Sequence, residues 1–244
     1  MATKTGLKKL DDALGGGLQD GTLTVLGSDT GVGKTRLVAY FAAQSLAAGR
    51  NVVVVSTEGT ARDFPACVKA AFFKQPSHRY EQEAPAEVID FNGAKLRQSH
   101  QICPDSEQVE TFLQGAIDDA TGLVILDRLA NITNDGVPLS IDDDVLSAWL
   151  ERVKKLLVER RVPCVATTFP EDSPSLLESR DGDDPRQRSF ARAIDEMAEA
   201  ILLLIAEKDA IDANLRTVLV RRRGQKPEEV ELKADLSRAM FEEI

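Results

Sequence analysis

TLTVLGSDTGVGKTRLVAYFAAQSLAAG, residues 22–49, decides how the rest of the chain is read. It opens on TLTVLG at 22–27, a short apolar run of the kind a strand buried on both faces requires. A glycine-rich turn, GSDTGVGKT at 27–35, leads straight into an amphipathic stretch that stops at Gly49, a glycine signal for the end of a helix. Gly31 and Gly33 let the backbone turn so that successive N–H groups face inward, and the helix N-terminus adds partial positive charge. The segment Ser28, Asp29, Thr30, Gly31, Val32, Gly33, Lys34, Thr35 and Arg36 is therefore the expected nest for a polyphosphate. Lys34 is expected to reach the β and γ phosphates of ATP, and Thr35 to hold Mg²⁺ through its hydroxyl. The strict pattern G-x-x-x-x-G-K-[ST] asks for Gly at position 28, where this chain has Ser. The order of strand, glycine turn, Gly-Lys-Thr and helix is nevertheless intact.

Outward from this stretch, short apolar runs alternate with longer amphipathic ones, the pattern of a parallel sheet covered by helices. Further strands are expected at 51–56, 122–127, 163–168, 200–205 and 215–220. In VLSAWLERVKKLLVER, residues 145–160, the apolar residues fall at helical spacing, which assigns Trp149 to core packing. EVELKADLSRAMF, within 228–241, alternates like an antiparallel hairpin closing the sheet edge. The expected fold is one α/β domain spanning 1–244: a largely parallel central sheet flanked by helices, with C-terminal antiparallel edge strands. Residues 74–106, 131–144 and 169–189 fit neither periodicity and are read as long loops.

A nucleotide site also needs an acidic group at the end of a neighbouring buried strand, to orient the magnesium shell. GLVILD supplies Asp127. Glu58, just after the run VVVVS, is the candidate to position an attacking water; its alternative role is that of an acid before a helix N-terminus. Arg221, Arg222 and Arg223 close an otherwise apolar strand, which is costly unless something anionic meets them. Arg221 and Arg223 share a face. The alternative is a solvated strand end, with these arginines paired to local carboxylates.

Composition narrows the field. With 40 Asp plus Glu against 30 Lys plus Arg, the net charge of -10 opposes general coating by nucleic acid or anionic membrane, though not a groove built from a few local arginines. Cys67, Cys103 and Cys164 are scattered and never form a C-x-x-C pair, which suits a reduced, cytoplasmic compartment. The N-terminus has no apolar signal core, the longest apolar run is too short to cross a bilayer, and His78 and His100 lack zinc spacing.

Together GLKKLDDALGGGL, the phosphate loop, AAGRNVVVVSTEGT, GLVILDRL and LRTVLVRRRGQKPEEVEL resemble the RecA-like ATPase core shared by DnaB-type replicative helicases, KaiC and RadA. The resemblance runs from about Gly6 to Phe241 in that group's order. It implies Mg²⁺ and ATP as cofactors, Glu58 as the water-activating glutamate, and the earlier roles for Lys34, Thr35 and Asp127. The group's Lys-x-Arg falls on Arg221 to Arg223, so Arg221 and Arg223 are implied as catalytic residues reaching the γ phosphate of a neighbouring subunit.

The helix at 145–160 with RRVPCVATT, and the stretch RAIDEMAEAILLLI, resemble the DnaB-type branch. That implies a hexameric ring translocating on single-stranded DNA, with replication or recombination proteins as further partners. By the same resemblance, 169–189 lies where helicases bind DNA, offering Arg180, Arg186 and Arg188, but it also holds Glu171, Asp172, Glu178, Asp181, Asp183 and Asp184. A merely solvated connection is the other reading. Phe169 stands where these helicases carry a polar glutamine sensor, and residues 1–20 are the segment available for packing on a neighbour. GLKKLDDALGGGL resembles the KaiC and RadA branch equally, implying an ATP switch acting on protein or recombination partners. A nucleotide-dependent scaffold is the third reading.

Overall fold

In chain order, β1 (Ala2–Thr3), α1 (Lys8–Ala13) and β2 (Leu18–Gln19) precede β3 (Leu23–Gly27), which is followed by α2 (Lys34–Ala47), β4 (Asn51–Ser56) and α3 (Asp63–Phe73). Next come β5 (Val88–Phe91), β6 (Ala94–His100), α4 (Ser106–Ala116), β7 (Thr121–Asp127), the short β8 (Thr133–Asn134) and β9 (Val137–Pro138), α5 (Asp143–Arg160) and β10 (Cys164–Thr168). β11 (Ala200–Ala206), β12 (Leu215–Arg222), β13 (Glu228–Asp235) and β14 (Met240–Glu243) follow. This computed structural model describes residues 2–84, 86–139, 142–168, 192–206 and 214–244, with backbone only at 143. Phe169, Arg180, Arg186 and Arg188 lie outside the described residues.

Ten strands form one sheet in the order β14, β13, β12, β11, β3, β10, β7, β4, β6, β5. The six from β11 to β6 run parallel. β12, β13 and β14 continue antiparallel from one side, and β5 closes the other. The expected α/β class and the antiparallel C-terminal edge are both present. β3, β4, β7 and β10 are buried along their whole length. Helices cover both faces there, which is why their sequences are nearly unbroken aliphatic runs rather than alternating ones.

One core lies on each face. Leu7 and Leu10 around α1, Phe41 of α2, and Phe64 and Val68 of α3 fill the first. Leu113 of α4 with Trp149, Leu150 and Leu157 of α5 fill the second. Trp149 is 0% exposed, and its indole N–H donates to the Ser106 carbonyl at 3.4 Å, tying α5 to the start of α4. Trp149→Ala is expected to cost about 3–5 kcal/mol of stability. Urea unfolding measures it, and a loss below about 1 kcal/mol would contradict this packing.

Two expectations need correcting. Residues 74–106 are not a loop: β5 and β6 add a parallel and an antiparallel strand to the sheet. AKLRQSH escapes detection because only one face is buried, with Ala94, Leu96 and Gln98 inward and Lys95 outward. Within 131–144, β8 and β9 pair as a small hairpin, and α5 starts at Asp143, capped by the Asp142 carboxylate. The N-terminal segment packs on its own chain. Leu7, Leu10, Leu14 and Leu18 are buried in the first core, and the Thr3 hydroxyl donates to the Gly122 carbonyl at 2.7 Å.

Candidate nucleotide site

The loop between β3 and α2 sits at the C-terminal end of the parallel strands, where ligands of open α/β sheets bind. Gly31 and Gly33 have φ of 81° and 115°, the left-handed backbone that glycine tolerates. Asp29, Thr30 and Gly31 are exposed, whereas Ser28 is fully buried. The Ser28 hydroxyl donates to the Asp29 carbonyl at 3.1 Å, so the side chain standing where the strict pattern has Gly is accommodated inside the turn.

Braces from the antiparallel edge hold the loop. Arg216 of β12, 7% exposed, donates through Nε to the Val32 carbonyl at 2.9 Å. The turn between β13 and β14 packs Leu236 so close to Gly33 that a Cβ there would stand 2.8 Å from a Leu236 methyl. Arg36 Nε donates to the Leu236 carbonyl at 2.5 Å. Asp235 shapes this turn by accepting from the Ser237 hydroxyl and from the N–H groups of Ser237 and Arg238. The Ser237 hydroxyl bond is the main reason its carboxyl lies below the usual range, burial opposing. Sequence reasoning missed all of these braces. Arg216, an arginine at an inward position of the alternating strand LRTVLV, was the available signal.

Lys34 opens α2, is 7% exposed, and its ammonium donates to the Thr168 carbonyl at 2.9 Å. Thr35 Oγ1 donates to Asp127 Oδ1 at 3.5 Å, and Thr167 Oγ1 donates to the same oxygen at 2.8 Å. Burial pushes the Asp127 carboxyl above its usual range, opposed by Thr167, the Lys34 charge and Thr35. Thr35 and Asp127 thus place hard oxygen donors side by side, the type Mg²⁺ prefers. Among the described residues no group of three or more His, Cys, Asp or Glu could hold a metal. That fits an ion whose shell is completed by phosphate oxygens and water rather than a protein cage.

Glu58 lines a cavity of about 350 Å³ together with Thr35, Arg36, Asp63, Cys67 and Asp127. Its carboxylate is paired with the Arg128 guanidinium. The first turn of α3 has its own acid, because Asp63 accepts from the Thr60 N–H at 2.6 Å and the Thr60 hydroxyl at 2.9 Å. Glu58 is therefore not the helix N-terminal acid that its position in the sequence allowed. Burial pushes the Cys67 thiol up to about 11, so the thiol facing this cavity is a small apolar wall. Arg128 itself has φ 80° and ψ 91°, a conformation that costs a non-glycine residue of order 1–3 kcal/mol.

The three arginines lie elsewhere. β12 is antiparallel to β11, and Ala200 of β11 is registered with both Arg222 and Thr24 of β3, so the strand tip with the arginines points away from Gly27. Arg221 is exposed, and Arg222 donates to Gln225 Oε1 at 3.4 Å. Arg223 Nη2 donates to main-chain carbonyls: that of Asp195 at 3.2 Å, that of Ala198 at 3.4 Å, and that of Glu196. Its partners at the end of the helical turn 192–197 are carbonyl oxygens, not the carboxylates the solvated reading anticipated. Lys34, Thr35, Glu58 and Asp127 are brought together; Arg221 and Arg223 are not part of that group.

A family model described as "ATPase: KaiC" matches residues 3–151, which include the phosphate loop, Glu58, Asp127 and Arg128. The chain belongs to the KaiC ATPase family. It is a RecA-like ATPase by family and fold. The DNA repair and recombination protein RadB of Methanococcoides burtonii is 27% identical to this KaiC-family chain over 116 residues. That alignment spans 47% of this chain and 48% of the relative, about half of each. Among solved structures, the RadB recombinase superposes with a TM-score of 0.67 at 18% identity, covering 99% of both chains. The ATPase domain of a DnaB-type protein superposes with a TM-score of 0.74 at 13% identity, covering 100% of this chain and 92% of that one. At those identities the likeness is one of fold. Among the described residues of this KaiC-family chain, no helix is long and apolar enough to cross a membrane.

Proposed function

We propose that the chain hydrolyses Mg²⁺-ATP as a nucleotide-driven switch serving DNA recombination, each site being completed by a neighbouring copy. The observation that carries this reading is the separation just described. Every residue suited to bind and attack the triphosphate stands at one end of the sheet, and the arginine cluster stands at the other.

In this reading the loop N–H groups and Lys34 hold the phosphates. Thr35 and Asp127 hold Mg²⁺, which supplies charge neutralisation to the phosphate oxygens. Glu58 accepts a proton from the attacking water as the oxygen–phosphorus bond forms. The bond from the γ phosphorus to the bridging oxygen breaks, and ADP departs with that electron pair. Arg221 and Arg223 would meet the developing charge on a neighbour's γ phosphate, Arg223 by leaving its carbonyl partners. A cytoplasmic location suits the unpaired thiols of Cys67, Cys103 and Cys164.

The second reading is a hexameric motor translocating on single-stranded DNA, supported by the fold match to the DnaB-type ATPase domain. Arg180, Arg186 and Arg188 would then track the strand. The net charge of -10 favours the switch, whose recombination partner would be a protein.

The deciding experiment mixes Glu58→Gln protein with the Arg221→Ala, Arg223→Ala double variant. Each alone is expected to be nearly inactive, and the mixture to recover hydrolysis at interfaces that pair an intact glutamate with intact arginines. No recovery at any ratio would refute the shared site. Single-stranded DNA added at low salt is expected to leave the rate unchanged; several-fold stimulation would instead establish the motor.

A further inference from the structure

We infer that Arg128 is a positioning residue for Glu58, holding the carboxylate in place for water activation. This rests on the reading of Glu58 as the water-activating group. Arg128 follows Asp127 directly, at the end of β7, while Glu58 follows β4; the two strands are neighbours in register, Ser56 opposite Asp127. The guanidinium pairs with Glu58 Oε1, and the two side chains are only 27% and 33% exposed, so the pair is partly shielded from water and salt.

The backbone that aims Arg128 is fixed on every side. Its N–H donates to Thr167 Oγ1 at 2.9 Å. Its carbonyl accepts from Thr57 Oγ1 at 3.1 Å, and that hydroxyl also reaches the Asp127 carbonyl at 3.0 Å. Asn131 Nδ2 donates to the Thr57 carbonyl at 3.3 Å, next to Glu58. Thr57 and Thr167 are 2% and 0% exposed. Left-handed conformations of ordinary residues persist only where the surroundings over-determine them, and they gather at functional sites. Here the neighbouring hydroxyls hold one such conformation, and its result is that a cation meets the carboxylate facing the Thr35 and Asp127 cavity. Thr167 also bonds Asp127 Oδ1, so the cation and the metal-site carboxylate share one anchor. A solvated arginine would need none of this.

The test measures kcat and KM for ATP in Arg128→Gln and Arg128→Lys, with Kd for a fluorescent ATP analogue and thermal unfolding alongside. Arg128→Gln is expected to lower kcat by about 10-fold or more, in line with the cost of misplacing a catalytic group, with KM and Kd within about twofold. Arg128→Lys retains the cation and is expected to regain several-fold of the lost kcat, which a merely structural role would not produce. If Arg128→Gln does not fold, Arg128→Met, with a similar stem and no charge, takes its place. An unchanged kcat, a faster kcat as from a released lock, or equal losses in Gln and Lys variants would each overturn the inference. Glu58→Gln separates the two levels. Full turnover in it removes the base assignment and this inference together, whereas its inactivity beside a normal Arg128→Gln removes the inference alone.

Discussion

Glu58→Gln will leave ATP binding intact and lower turnover by about 10²- to 10⁴-fold, the usual worth of a positioned general base. Gln keeps the shape of the side chain and its place on the cavity wall, but it cannot accept a proton from water. Glu58 lies outside the phosphate loop and outside the Thr35–Asp127 pair, so the Kd for nucleotide is expected to stay within about twofold. The charged Arg128 partner will be left facing a neutral amide, which costs about 1 kcal/mol for a partly exposed pair. A small fall in Tm is therefore expected and will not by itself explain a catalytic loss. Equilibrium binding and single-turnover hydrolysis on one preparation separate the effects. Turnover within tenfold of the unaltered protein would remove Glu58 from the reaction.

Lys34→Ala will weaken ATP binding by about 10- to 100-fold, because a hydrogen bond to a charged group contributes about 1.5–3 kcal/mol. In the free protein the ammonium is buried at 7% exposure and bonded to the Thr168 carbonyl. Bound phosphate would replace that neutral acceptor by a charged one without Lys34 first having to be dried or ordered. Ligand-induced stabilisation reads this directly. A protein at 100 times its Kd gains about 2.7 kcal/mol, and a 100-fold rise in Kd reduces the gain to about 0.4 kcal/mol. The alanine variant is accordingly expected to lose nearly all of its ATP-dependent Tm shift. A shift equal to that of the unaltered protein would show that Lys34 is not a phosphate ligand.

The parts of the fold that the sequence announces are those with one dominant cause. β3, β4, β7 and β10 are dry on both faces, and that forces aliphatic runs no other element would contain. β6 is dry on one face only and carries Lys95, Arg97 and His100 among its inward residues, so its period is diluted below recognition. In the site, Gly31 and Gly33 are legible because their φ values admit little else, and Lys34 and Thr35 because they follow those glycines. Arg128 and Arg216 are invisible for the opposite reason. Each acts on a residue far away in the chain, Glu58 and Val32 respectively, and no local rule couples such pairs. The arginine triplet is conspicuous in sequence, yet only the antiparallel register of β12 shows that it faces away from the chain's own loop.

The braces on the phosphate loop set an order of events. GSDTGVGKT emerges early in synthesis, but Arg216 and Leu236, which hold it from behind, arrive almost two hundred residues later. A nascent chain can therefore display the full motif while its loop still lacks the backing that shapes it. Contacts so distant in sequence form late in folding because the entropy of closing the chain must be overcome first. Nucleotide capture becomes a report on completion: a ribosome-bound or C-terminally clipped chain carries the signature without the grip, and cannot compete with finished molecules for ATP.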